Sequence, residues 1–456
     1  MGSRRSCSRD AHLLEFLQSI SNHKGHEEHQ ETFVTLSPGQ TLTVTIEKPA
    51  AGGRMIARVD GQVVLVAGAI PGERVSVRIE RVGQGVAYAE TMTVEEASSD
   101  RRAPHADPRC GGCLYAHIAY ERQLQIKSLV IADAFLRIGR LPLTGAVAVA
   151  ASQPEGYRMR ARLHVRGRHV GFFREGTHEV CDARATRQLL PATCDVLDRL
   201  AASLVRAADA GVREIDVAEN LDASERVVHL ETPPGGVDLP RDLMSLTDGV
   251  TGITVVGPGP GSSRVVAGSA FVTDRVALGD QVVVPIRRHV LAFFQGNRFL
   301  LRDLVRHVTD HIPQRSKVLD LYAGGGLFAV SAARRRGAEV TAVEGDSVAF
   351  DDLSVNAVEG GGVTAVHQPV EVFLMSARPE ADVIIVDPPR TGMSREAFDG
   401  VWRIGASRLV YVSCDIATLA RDVRRLVDAG YQMVRIDGFD LFPNTPHVEA
   451  VVIFEK

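Results

Sequence analysis

The chain has no excess of positive charge, no apolar run long enough to cross a bilayer and few cysteines. Each absence excludes something. The formal charge over 456 residues is -4, so a nucleic-acid site has to be a local patch rather than a property of the whole molecule. The longest apolar stretches, such as "QVVLVAGAI", are strand-sized and far short of the roughly 18 residues of a membrane span. The start, "MGSRRSCSRDAHLLEF", carries charge without an apolar core and small-residue cleavage site, unlike a secretory leader. Six irregularly spaced cysteines give no disulfide scaffold. The expectation is a cytoplasmic protein with no membrane contact. Its length calls for two or three domains.

Composition changes along the chain. Residues 1–33 are polar and rich in His and Glu, and they read as a mobile tail; metal binding by those histidines is the weaker reading. Short alternating segments then follow, including "TLTVTIEKPA" and "ERVSVRIERV". They predict a small β-barrel over 34–95, either a packing module or an oligonucleotide binder. A mixed α+β region is expected over 96–284. Within it "YRMRARLHVRGRHVGFFR" sets Arg158, Arg160, Arg162, His164, Arg166 and Arg168 at every second position. On a strand these share one face. A solvated face would mix charge signs, so the run points to phosphate contacts. Residues 285–456 alternate strand and helix, which predicts a doubly wound, Rossmann-like α/β domain with a parallel sheet.

That last region carries the chemistry. In "VLDLYAGGGLFAVSAA" a strand holding Asp320 runs into a glycine turn at Gly324–Gly326, where backbone can approach a ligand closely. One strand later Glu344 is placed to accept hydrogen bonds from ribose hydroxyls. NAD would call for G-x-G-x-x-G, and the run here is "AGGGLF". A third strand ends in Asp387-Pro388-Pro389-Arg390, whose prolines make a stiff pocket wall. A fourth ends at Cys414. Ligands of open α/β sheets bind outside the carboxyl ends of strands, so these residues should edge one crevice. By position alone Cys414 is either a nucleophile or filler.

In "FFQGN", "DLYAGGG", "DPPRTG", "VYVSCDIATLARD" and "LFPNTPHVE", the chain resembles the S-adenosylmethionine-dependent RNA uridine-5 methyltransferases with a TRAM barrel. The five motifs stand in family order. The resemblance implies methyl transfer to uracil C5, with Cys414 as nucleophile, Glu449 as base and Asp387 also catalytic. Gln295, Tyr322, Gly324, Glu344 and Asp387 become S-adenosylmethionine contacts, and Arg158, Arg160 and Arg162 RNA contacts. The partner is ribosomal or transfer RNA, and a monomer is expected. The family's asparagine at one cofactor contact is Leu327 here. Many members hold an iron–sulfur cluster on four cysteines. This chain keeps Cys110 and Cys113 but has Pro104 and Thr186 at the other two positions, so a remnant is expected rather than a complete cluster. Cys181 or Cys194 is the substitute if the chain shifts locally. Two other readings stay open: methylation of an exocyclic amine with Cys414 a bystander, and an inactive RNA-binding protein.

Overall fold

The alternating segments after Leu36 form six strands: β1 (Thr41–Thr45), β2 (Lys48–Pro49), β3 (Met55–Val59), β4 (Gln62–Ala67), β5 (Arg74–Gly83) and β6 (Val86–Glu96). They pair in the order β1-β5-β6-β4-β3-β2. The Glu47 amide donates to Ile56 O at 2.8 Å, which turns the first strand back towards β3. Inward-facing residues such as Val44, Met55, Val66 and Val77 then share one core. This computed structural model describes residues 36–206, 211–233, 248–259, 261–279 and 281–456. The tail read over 1–33 lies outside the described residues.

Next come helix α1 (Tyr120–Arg137) and the short β7 (Val149–Ala150). A seven-stranded sheet follows, built from β8 (Arg160–Arg166), β9 (His169–Phe173), β10 (Val180–Asp182), β11 (Glu214–Glu219), β12 (Arg226–Glu231), β13 (Gly252–Val256) and β14 (Ser263–Gly268), with α2 (Pro191–Arg206) inserted before β11. Period two decides its faces: Ala161, Leu163 and Val165 of β8 pack under α2, and the arginine side of that strand points away. Strands β15 (Phe271–Ala277) and β16 (Val283–His289) form a separate hairpin.

The C-terminal sheet has the order β19-β18-β17-β20-β21-β23-β22-β7. Its strands are β17 (Lys317–Leu321), β18 (Glu339–Glu344), β19 (Val363–His367), β20 (Val383–Val386), β21 (Arg408–Ser413), β22 (Gln432–Phe439) and β23 (Glu449–Glu455), joined to β7. The pairs from β19 to β21 are parallel, and β23 runs antiparallel beside β21. Helices α3 (Leu301–Asp310), α4 (Leu327–Arg336) and α5 (Ser347–Gly360) take one face; α6 (Val370–Ser376), α7 (Arg395–Ile404) and α8 (Ile416–Asp428) take the other. Val318 belongs to the first core and Leu319 to the second. Both faces are covered, so the inner strands are largely apolar, with Asp320 of β17 a buried exception. The Asp346, Ser394 and Asp415 side chains start α5, α7 and α8 by accepting the amides of Ala349, Ala397 and Thr418, as N-caps do.

This sheet is completed by segments from far upstream. Helix α1 adds Ile131 and Phe135 to the second core, and β7 pairs parallel with the end of β22. The β15–β16 hairpin adds Val276, Val284 and Ile286 to the first core. A boundary at residue 285 therefore falls inside β16, and residues 120–150 pack with the C-terminal body.

Gly326 caps α4 with φ 88°, and a Cβ there would lie 2.7 Å from Leu353 Cδ1. Gly326→Ala should therefore cost about 1–3 kcal/mol of stability from backbone strain alone. Denaturant unfolding of both proteins measures it, and an unchanged midpoint would show that the turn relaxes freely.

Candidate active site

Strand β17 lies between β18 and β20, the point where strand order reverses and ligands enter such sheets. Tyr322 follows at φ 62°, then Gly324 at φ 55° and Gly326 at φ 88°. A side chain at Gly324 would meet nothing within 4 Å, so open space lies over the turn. The Glu344 carboxylate accepts the Gly324 amide at 2.7 Å and the Asp346 amide at 2.6 Å. It braces two strand-end loops. Each oxygen keeps a lone pair for a ribose hydroxyl. The Tyr322 hydroxyl donates to Glu371 at 3.1 Å, and Asn356 Nδ2 holds Gly325 O at 2.8 Å. Asp320 is fully buried with neither carboxylate oxygen partnered. Burial first, then Asp387, pushes its pKa well up, against a weak approach of the Ala329 amide that falls short of a hydrogen bond. An orphaned buried acceptor beside an open glycine turn fits a nucleoside-bearing ligand with amino groups to donate.

The other wall holds the reactive groups. Gln295, itself buried, donates from Nε2 to Asp387 Oδ2 at 3.3 Å. Burial pushes the Asp387 carboxyl up to about 7 against that hydrogen bond. Cys414 sits half-buried between β21 and α8. Burial pushes its thiol up to about 12; Glu449 and Asp387 act in the same sense, whereas Arg390 opposes by charge and hydrogen bond. Glu449 opens β23 and is buried, and its pKa is pushed well up by burial and by Asp387, with Arg390 opposing. One thiol, two carboxyls and one guanidinium thus lie within electrostatic reach of one another. The motif by itself gives Arg390 no role; its location beside these groups does. Phe293 is 63% exposed between buried Ala292 and Phe294, two residues from Gln295. It opens the "FFQGN" motif, which by itself gave it no role.

The arginine run is placed differently from its reading. Arg160, Arg162, His164 and Arg166 do share one face of β8, but Arg158 precedes the strand and Arg168 lies in the turn after it. The face also has carboxylates, supplied by β11. Arg162 Nε lies 3.1 Å from Asp216 Oδ1, and His164 Nδ1 3.3 Å from Glu214 Oε1. His164 stacks on Phe173 with centroids 3.4 Å apart. Arg158 donates to Gln188 Oε1 at 2.7 Å and lies over the Phe172 and Phe442 rings. Arg160 is half-buried, and its Nε has no partner.

Cys110 and Cys113 are buried together, with Cys181 packed against them. The Cys110 thiol is pushed up to about 12, first by its contact with Cys113. Thr186 does occupy the neighbouring position, but it offers only its carbonyl, 4.0 Å from Cys113 Sγ. No group of three or more His, Cys, Asp or Glu among the described residues is arranged to hold a metal ion. The thiols do not fit a four-cysteine cluster. Cys194 packs elsewhere, under the central sheet.

Three family models match: the TRAM domain over 36–92, tRNA (Uracil-5-)-methyltransferase over 371–456, and Conserved hypothetical protein 95 over 304–412. The chain is 31% identical to an uncharacterized RNA methyltransferase of Thermotoga maritima, over 91% of this chain and 98% of that protein. It is 30% identical to the 23S rRNA (uracil(1939)-C(5))-methyltransferase RlmD of Methylococcus capsulatus, over 92% and 98%. Among solved structures, tRNA (uracil-54, C5)-methyltransferase of Pyrococcus abyssi with S-adenosyl-L-homocysteine superposes with a TM-score of 0.72 at 23% identity, over 90% of this chain and 99% of that one. A TRAM barrel joined to a Rossmann-like sheet, with the glycine turn, Asp387 and Cys414 around one crevice, places this chain in the family of S-adenosylmethionine-dependent RNA (uracil-C5)-methyltransferases.

Proposed function

We propose that this chain methylates C5 of a uridine in RNA through a covalent bond between Cys414 and C6 of the base. The observation that carries it is the convergence of Cys414, Asp387, Glu449 and Arg390 within electrostatic reach of one another, beside Gln295 and the glycine turn. S-adenosylmethionine brings the electrophilic methyl. Gly324, Glu344 and Tyr322 would hold its nucleoside end, with Gln295 and Asp387 facing it from the other wall.

Uracil C5 is too weak a nucleophile by itself. Asp387, ionised above about pH 7, takes the thiol proton, and Arg390 favours the thiolate. Sulfur then bonds to C6, the C5–C6 double bond opens, and the ring carries the negative charge as an enolate. C5 takes the methyl as its bond to the sulfonium breaks, and S-adenosylhomocysteine is left. Glu449, which in its ionised form is a stronger proton acceptor than an ordinary carboxylate because its pKa is raised, removes the C5 proton. The C6–S bond breaks and the double bond re-forms. The target base has to leave its stack to reach the pocket, and exposed Phe293 offers a ring for it or a neighbour to stack on.

The relatives named for 23S rRNA share 30–31% of the sequence over nearly their whole length, against 23% for the tRNA enzyme. Ribosomal RNA is therefore the proposed substrate class. All groups of the mechanism come from one chain, which is the basis for proposing a monomer at work.

Glu449→Gln keeps the side-chain shape without the base, so it should accumulate a methylated RNA–protein adduct that survives denaturing electrophoresis. Cys414→Ala should give no adduct and no 5-methyluridine while still binding cofactor. An adduct persisting in Cys414→Ala would defeat the mechanism.

The pH profile tests Asp387. Its carboxyl is protonated below about 7, so the rate should fall as pH drops through that value. Asp387→Asn should lower the plateau and flatten that limb. A limb that stays put assigns the titration to another group.

RNA contact by the central sheet is tested by salt. Replacing Arg160 and Arg162 by Ala should reduce the slope of log affinity against log salt by about one for each phosphate no longer held. An unchanged slope would assign Arg162 to its pairing with Asp216 alone.

A further inference from the structure

Loop 440–448, which joins β22 to β23, stands against the reactive pocket: a Cβ at Gly296, next to Gln295, would lie 3.8 Å from the Phe442 ring. The loop is fixed mainly from outside its own sheet. Gln123 of α1 and Asn444 form a reciprocal pair, Gln123 Nε2 donating to Asn444 Oδ1 at 3.0 Å and the Asn444 amide donating to Gln123 Oε1 at 2.9 Å. Lys127, one α-helical turn further on, is buried against Asp440 and donates to Phe442 O at 3.2 Å. The Tyr115 amide donates to Asn444 O at 2.9 Å. Barrel residue Gly53 closes the outer side, where a Cβ would come within 3.0 Å of Pro446 Cγ.

We propose that the Gln123–Asn444 pair is a positioning device for methyl transfer: α1, backed by the barrel turn at Gly53, sets the wall of the target-base pocket. This rests on the uridine C5 reading above. Glu449 is held independently, because its backbone pairs with Phe439 in the β22–β23 ladder. The nucleoside end of the cofactor site is independent too, since none of the hydrogen bonds of Glu344 or the glycine turn involves loop 440–448, which meets the site through Gly296 and Asn297 instead. Loosening the pair therefore leaves the base and the cofactor in place and misplaces the target uracil. Gln123 is 1% exposed and Asn444 8%, so water cannot readily replace the missing bonds. A two-way amide pair also fixes orientation, which apolar packing at the same place would not.

Gln123→Met removes the pair with similar bulk. Asn444→Gly removes only the Oδ1 acceptor and keeps the backbone donation to Gln123 Oε1, and glycine tolerates the φ of 62° found there. Each should lower kcat by between about tenfold and a hundredfold, the scale of a small misplacement of reacting groups. The Kd for S-adenosylmethionine should stay within about twofold, since no pair hydrogen bond reaches that end of the site. The double variant should be no slower than Gln123→Met alone, because the pair bond that Asn444→Gly removes is already lost there. Turnover equal to the parent would overturn the proposal, and so would cofactor affinity falling in step with kcat, the mark of general loosening. A parent enzyme that makes no 5-methyluridine would overturn the reading beneath it as well. An active parent matched by an active Gln123→Met would overturn only this inference.

Discussion

Desolvation at the carboxyl ends of β17, β20 and β21 is the constraint from which the rest of the site follows. Asp320, Asp387, Cys414 and Glu449 are all pushed towards their neutral forms by burial, and Arg390 is the guanidinium that opposes this at the thiol and the base. In water these groups would be ordinary acids. Crowded together away from it, they cannot all ionise, so a proton accepted by one changes what its neighbours do. That is the condition a reaction with two proton transfers needs.

Keeping water out takes more surface than one sheet and its own helices supply. Helix α1, β7 and the β15–β16 hairpin arrive from upstream and seal both faces of the C-terminal sheet. Asn297 shows how tightly segments are laced. Its side chain accepts the amides of Phe299 and Leu300 at the start of α3, and donates to Leu441 O and Ser152 Oγ. Three stretches of chain thus meet on one buried amide. The barrel, the central sheet and the catalytic sheet are separate as hydrogen-bonded ladders, yet the crevice is built where they touch.

This explains which parts were legible in the sequence. Alternation of strand and helix after Val290, glycines after a strand and polar residues at strand ends are local patterns, and local patterns predict local structure. Cys414, Asp387 and Glu344 were readable because a parallel sheet brings all its carboxyl ends to one edge. The arginine run was readable as a face but not as a charge, because Asp216 and Glu214 come from a separate strand, β11, that pairs with β8. The same holds for Cys181, whose approach to Cys110 depends on the β9–β10 pairing. Glu344 was placed correctly at its strand end, while its brace on the Gly324 amide depends on the registry of two loops. Pairing across the sequence is what a single chain's pattern cannot state.

The buried amide and ion pairs on loop 440–448 belong to that non-local class, and they bear on how an RNA enzyme avoids wasted chemistry. A thiol held near a pKa of about 12 is inert towards stray electrophiles while the pocket is empty. Raising its reactivity requires a base and a target placed together, and the wall that receives the target is set by α1 and the barrel rather than by the cofactor side. Glu344 and the glycine turn share no hydrogen bond with loop 440–448, whereas the segment that carries Gln295 meets the loop through the donation of Asn297 to Leu441 O. The division assigns cofactor affinity to the sheet's first half and target placement to contacts between parts of the chain more than three hundred residues apart, so the two can change separately without either wall losing its burial.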